Sequence, residues 1–166
     1  IDELSLTKLL KGNNDRNQFG YTVGSTVLIP NVDNLKLTLE YTKILPWVYS
    51  NWIPSQTYRN ANYLMGHYIG QNADQIYFEA KYNPLYNLEI TGKFAYTRNG
   101  SFGKIYDQYK APGEKFLYGL IRKQTEITLS ASYEFLYQLT ANLTFTYTKI
   151  TDQDTKRTPK FMLGDN

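Results

Sequence analysis

Six stretches of this chain alternate apolar and polar residues with period two, the pattern of strands with one oily and one wet face. Between Leu35 and Tyr41 the odd positions are Leu35, Leu37, Leu39 and Tyr41, and the even ones are Lys36, Thr38 and Glu40. The preceding stretch, Phe19 to Ile29, sets Phe19, Tyr21, Val23, Val27 and Ile29 against Gly20, Thr22, Gly24 and Thr26, with Ser25 and Leu28 out of phase. Ile76 to Asn83, Leu88 to Thr97, Thr125 to Phe135 and Leu139 to Thr148 repeat the scheme. The pattern predicts three antiparallel pairs.

The connections alternate as regularly as the side chains. Pro30 to Asn34, Pro84 to Asn87 and Leu136 to Gln138 are short and suit tight hairpins, whereas Pro46 to Gln75 and Asn99 to Arg122 are long. Propeller blades repeat at a similar interval but need about four short strands per unit, and each unit here has a pair of long ones. A tripeptide marks the long-loop end of each ascending strand: Tyr41-Thr42-Lys43, Tyr96-Thr97-Arg98 and Tyr147-Thr148-Lys149. A soluble sheet packed on its apolar face would share the alternation, but it would bury those cations. In a membrane the tyrosines would lie at headgroup level, with Lys43, Arg98 and Lys149 reaching anionic lipid above them.

The expectation is therefore an all-β fold, an antiparallel transmembrane β-barrel segment of six clear strands, with short periplasmic turns and long outer loops. Its expected place is the outer membrane of a Gram-negative-type bacterium. Outer-membrane lipid and lipopolysaccharide would be its partners through Tyr41, Lys43, Tyr96, Arg98, Tyr147 and Lys149. The polar face, with Lys36, Glu40, Glu79, Lys81, Glu89, Lys93, Glu126 and Glu134 among Thr, Ser and Asn, would line a hydrated or polar-filled lumen. Residues 1–10 offer a seventh strand through Leu4, Leu6 and Leu10, or else an amphipathic turn. Single-chain barrels begin at about eight strands, so residues 1–166 are expected to form one partial barrel domain, a fragment of a larger barrel.

Composition sharpens this reading in three respects. Sixteen of the 166 residues are Tyr, and no apolar run reaches the length of a spanning helix. The absence of Cys removes disulfides and thiolate chemistry. A net charge of +3 without a basic cluster gives no reason to expect nucleic acid. His67 is the sole histidine, Asp152 and Asp154 sit in a polar tail, and no phosphate-cradling glycine loop opens a helix, so no enzyme activity, metal or cofactor is expected.

The stretch Pro46 to Leu85, "PWVYSNWIPSQTYRNANYLMGHYIGQNADQIYFEAKYNPL", resembles the Wzi-type capsule assembly family of outer-membrane barrels. The resemblance rests on Trp47-Val48-Tyr49-Ser50, Pro54 with Thr57-Tyr58, Gly66-His67-Tyr68-Ile69-Gly70, Asn72-Ala73-Asp74 and Ile76-Tyr77, flanked by Glu40-Tyr41-Thr42 and Tyr82-Asn83-Pro84-Leu85. It extends over residues 19–98, with Met65 and Gln71 standing where the family pattern has Leu and Pro. The resemblance implies a non-enzymatic barrel whose surface loops help to bind or retain surface or capsular polysaccharide. A porin-like diffusion channel and a structural component of an envelope assembly are the alternatives. Aromatic faces pack against the C–H faces of sugars while nearby polar groups take the hydroxyls. On that chemistry Trp52, Tyr58 and Arg59 are the leading glycan-binding candidates, followed by Trp47 and His67. An alternative role for Trp47 is to continue the aromatic girdle, and one for His67 is to fix the loop's return by bonding Asp74 or a backbone carbonyl.

Overall fold

The computed structural model describes residues 18–30, 32–51, 53, 55, 57–60, 63–104, 106–107, 114–154 and 156–158. Each of the six period-two stretches is a strand. In chain order the elements are β1 (Gly20–Leu28), β2 (Leu35–Ile44), β3 (Arg59–Asn60), β4 (Tyr63–Leu64), β5 (Ala73–Leu85), β6 (Leu88–Asn99), β7 (Arg122–Leu136) and β8 (Leu139–Asp152). The main sheet runs β1-β2-β5-β6-β7-β8, antiparallel throughout, and β3 and β4 form a small separate hairpin. No α-helix occurs among the described residues. Among the described residues the sheet is open, with β1 and β8 as its edges. The proposed strand at residues 1–10 lies outside the described residues.

Register places every apolar set on one face. Leu39, Phe78, Phe94, Ile127 and Tyr147 form one cross-strand row, and Leu37, Ala80, Gly92, Leu129 and Phe145 form the next. Neither row is covered: Leu39 is 56% exposed and Phe145 62%. The opposite face is polar and internally bonded. Thr22 bonds Thr42 (2.9 Å), Thr26 bonds Thr38 (3.0 Å), and Lys81 pairs with Glu89 at 2.7 Å. Thr42 and Thr91 on this face are buried. The polarity is thus the reverse of a sheet that packs an oily face on a core, where the apolar side chains would be the ones removed from water.

The strands run further at the loop end than period two alone predicts. Ala73-Asp74-Gln75 and Arg122-Lys123-Gln124 join β5 and β7 although neither segment alternates in hydropathy. Backbone pairing continues there because the loops supply partners above the apolar band. At the other end Tyr86-Asn87 and Tyr137-Gln138 close two-residue turns. Register shifts between Tyr82 and Leu85, beside Pro84, which has no N–H to give the ladder. It shifts again between Glu134 and Leu136, ahead of Gln138, which takes a left-handed φ of 65°.

Candidate functional site

The long connections fold against one another at one end of the sheet, and a single asparagine joins their roots. Asn72 is 1% exposed, with φ 54°, a left-handed conformation that Asn tolerates better than most residues. Its Nδ2 donates to the carbonyls of Ser101 (2.9 Å) and Tyr118 (3.4 Å), while its Oδ1 accepts from the Leu117 N–H (2.8 Å). Its backbone N–H donates to Leu45 O (3.3 Å) and its carbonyl accepts from Gly100 N–H (2.8 Å). Both loops are therefore fastened at the point where β5 begins.

Around this clasp lies a small core. Ile44, Ile69 and Ala73 are buried together, with Val48 and Tyr49 packed on them. Trp47 is 7% exposed and stacks on Tyr118 with ring centres 6.0 Å apart. Gly103, at φ 57°, lets the two rings close over the backbone, since a Cβ there would lie 2.7 Å from Trp47. Burial pushes the Tyr118 hydroxyl up to about 12, so it stays neutral at physiological pH. Trp47 is accordingly part of the loop's own core.

Tyr49 organises the outer part of the first loop. Its N–H and the Ser50 hydroxyl both donate to Gln71 Oε1, at 3.2 and 2.9 Å. Its hydroxyl accepts from the His67 N–H (2.9 Å), and its ring stacks on Tyr58. Gly66 fits beneath that ring, where a Cβ would stand 2.3 Å from it. His67 stacks on Tyr68, and its Nδ1 accepts from the Ile69 N–H at 3.4 Å. Desolvation lowers the imidazole below its ordinary value, against a smaller opposing influence of Glu40. His67 does not bond Asp74, whose carboxylate is taken by Arg98 and Tyr41.

Beyond this framework Tyr58, Tyr63 and Tyr68 present exposed rings, Tyr63 at 80%. Arg59 begins the β3–β4 hairpin, directly beside Tyr58. Trp52 lies outside the described residues. The glycan candidates thus separate into Tyr58 on the exposed side, His67 half-buried and Trp47 inside. Among the described residues no group of three or more His, Asp or Glu gathers as metal ligands would.

The tyrosines and cations of the tripeptides lie on the apolar face at the loop end, the cations in two rows. Lys43, Asp74, Arg98 and Lys123 occupy one row, while Lys149 shares the row below with Tyr41, Tyr96 and Thr125. Arg98 grips Asp74 with two parallel bonds, Nε to Oδ1 at 2.9 Å and Nη2 to Oδ2 at 2.5 Å. Lys43 sits over the Phe116 ring at 4.2 Å. Lys123, which alternation did not single out, adds a further cation between Arg98 and Thr151. Asn72, Tyr118 and Arg122 were also missed as organising residues. A non-glycine turn residue just before a strand and a cation on the polar period at the loop end were the available signals. Comparison of the chain with protein-family models, curated proteins and solved structures finds no match.

Proposed function

We propose that this chain is a section of an outer-membrane barrel whose outer loops hold a surface polysaccharide. The observation that carries the membrane reading is the inverted polarity of the sheet: its apolar rows are uncovered, while the buried threonines Thr42 and Thr91 are on the polar side. Lipid is the solvent in which that arrangement is favourable, because exposed apolar area in water costs roughly 25 cal/mol per Å². The row of cations at the loop end supports an anionic outer leaflet as neighbour, with lipopolysaccharide the proposed lipid. The Wzi-type resemblance of Pro46 to Leu85 points to capsule retention, and the exposed rings of Tyr58 and Tyr63 beside Arg59 supply the matching chemistry.

The test is surface retention of polysaccharide by cells carrying Tyr58→Ala, Arg59→Ala and Tyr63→Ala together, in a barrel that still shows heat-dependent migration on gels. Loss of retention is the expected result, and retention at the wild-type level would remove this loop from the function. The ion-paired polar wall, with Lys81–Glu89 and Lys93–Glu79, favours a diffusion channel as the second reading. Stepwise single-channel conductance of the purified protein in planar bilayers, together with unchanged retention, would put that reading first.

A further inference from the structure

On the polar face, just beneath the first loop, a pocket of about 170 Å³ opens among Tyr68, Gln75, Thr97, Asn99, Arg122 and Gln124. Cross-strand register explains its composition. Asn99 and Arg122 are direct partners in its upper row, and Gln75, Thr97 and Gln124 form the row below. Most of the lining is already bonded. Tyr68 donates to Gln75 Oε1, Gln75 donates to Thr97 Oγ1 (2.9 Å), and Asn99 donates to the Ile69 carbonyl (2.7 Å). These bonds fix the walls and leave the Thr97 hydroxyl hydrogen free to point inward.

Arg122 is the exception. Its Nε is buried and has no hydrogen-bond partner among the described residues. The nearest carboxylate in register is Asp152, which is saturated: Arg157 donates to both its oxygens, Thr158 to Oδ2 at 2.6 Å, and the Asp154 N–H to Oδ1 at 3.0 Å. Glu126, the carboxylate that lines the pocket, lies four residues down the same strand, roughly 13 Å along the backbone at about 3.3 Å per residue, and accepts from Gln124 (3.4 Å). A buried charged donor without an acceptor is costly, and a planar guanidinium is shaped to grip two oxygens of one anion.

We infer that this pocket is a binding subsite for a single anionic group, a carboxylate, sulfate or phosphate, held by Arg122 with the Thr97 hydroxyl as second donor. It is separate from the exposed rings of Tyr58 and Tyr63 and does not depend on their binding glycan. Its position on the polar face gives any solute moving along that face one fixed point of attraction close to the loops. The Arg122 end would take the acid group of a uronic sugar or a free oxyanion, and the Glu126 end disfavours a second negative charge.

The experiment is calorimetric titration of the intact protein in detergent micelles with sodium glucuronate, inorganic sulfate and glucose. Saturable binding of at least one anion, and none of glucose, is expected. Arg122→Gln should weaken it by about tenfold or more, and Arg122→Lys should weaken it substantially because a point charge cannot reproduce the two-pronged geometry. Binding of glucuronate alone would identify a sugar acid, and equal binding of sulfate a free oxyanion. Unaltered circular dichroism and heat-dependent migration certify that the variants fold. No saturable anion binding, meaning that water alone fills the pocket, would overturn the inference, and so would undiminished binding in folded Arg122→Gln.

Discussion

Replacing Asn72 by alanine tests whether one side chain holds the two long loops together. The Leu117 N–H would lose its acceptor, which costs about 1–3 kcal/mol for a donor left unpaired. The Ser101 carbonyl would lose the Asn72 amide, about 0.5–1.5 kcal/mol, whereas the Tyr118 carbonyl keeps the Ser101 N–H at 2.9 Å. Alanine at φ 54° adds about 1–2 kcal/mol that Asn and Gly largely escape. The loops should therefore loosen by about 2.5–6.5 kcal/mol relative to the strands. Glycine at the same position should cost about 1 kcal/mol less, since it keeps the backbone comfortable while losing the same bonds.

Hydrogen exchange reads this directly, because local opening is measured residue by residue. With each 1.4 kcal/mol worth about tenfold, the amides of Gly100, Ser101 and Leu117 should exchange faster in Asn72→Ala by about two to four orders of magnitude. Amides at Phe78 and Phe94 in the middle of the sheet should be unaffected. Wild-type exchange at Gly100 and Ser101 in both the Ala and Gly variants would refute the clasp. Equal effects of Ala and Gly would refute only the backbone contribution.

On the proposed membrane reading, Leu39→Arg or Phe145→Arg on the uncovered face is expected to destabilise the sheet by about 2–4 kcal/mol at mid-bilayer, whereas Thr144→Arg on the polar face should cost little, as measured by denaturant unfolding in lipid. Gly66→Ala drives a methyl into the Tyr49 ring and should cost the loop about 1–3 kcal/mol, seen as faster proteolysis; pairing it with Tyr49→Ala should cost less than the sum of the two changes. Because burial depresses the His67 imidazole, its contribution is complete above the ordinary value of about 6.5 and is lost as pH falls through the lower folded value. Proteolysis of the loop should accelerate on acidification, since protonated Nδ1 cannot accept the Ile69 N–H; an identical pH profile in His67→Gln would dismiss this account.

Period two made the sheet legible. Leu39, Phe94 and Phe145 occupy the same face as Tyr41 because alternation is a local property that survives pairing, and even the out-of-phase Ser25 and Leu28 keep their register. The loop site was much less readable. Trp47 and Tyr58 look alike in sequence, yet one is stacked inside against Tyr118 and the other stands exposed on Tyr49, a difference set by residues more than a loop away. The Arg98–Asp74 pair is not legible in the alternation, because Ala73-Asp74-Gln75 does not alternate; β5 begins at Ala73 and brings that carboxylate opposite the guanidinium. Arg122 stayed hidden for the same reason, since its neighbours belong to four different segments of chain.

The position of the Asn72 clasp has a consequence for how such a surface can change over time. Its partners are residues 45, 100, 101, 117 and 118, all near strand ends, so the connections are tied at their bases. Among the described residues at the tip of the first loop, neither Tyr58 nor Tyr63 bonds to the clasp. Substitutions there leave the sheet and its fastening untouched, whereas Gly103 of the second loop must stay small beneath Trp47 and Tyr118. A lineage could therefore recast this tip repeatedly without refounding the fold, and the same tip is where a foreign peptide could be spliced.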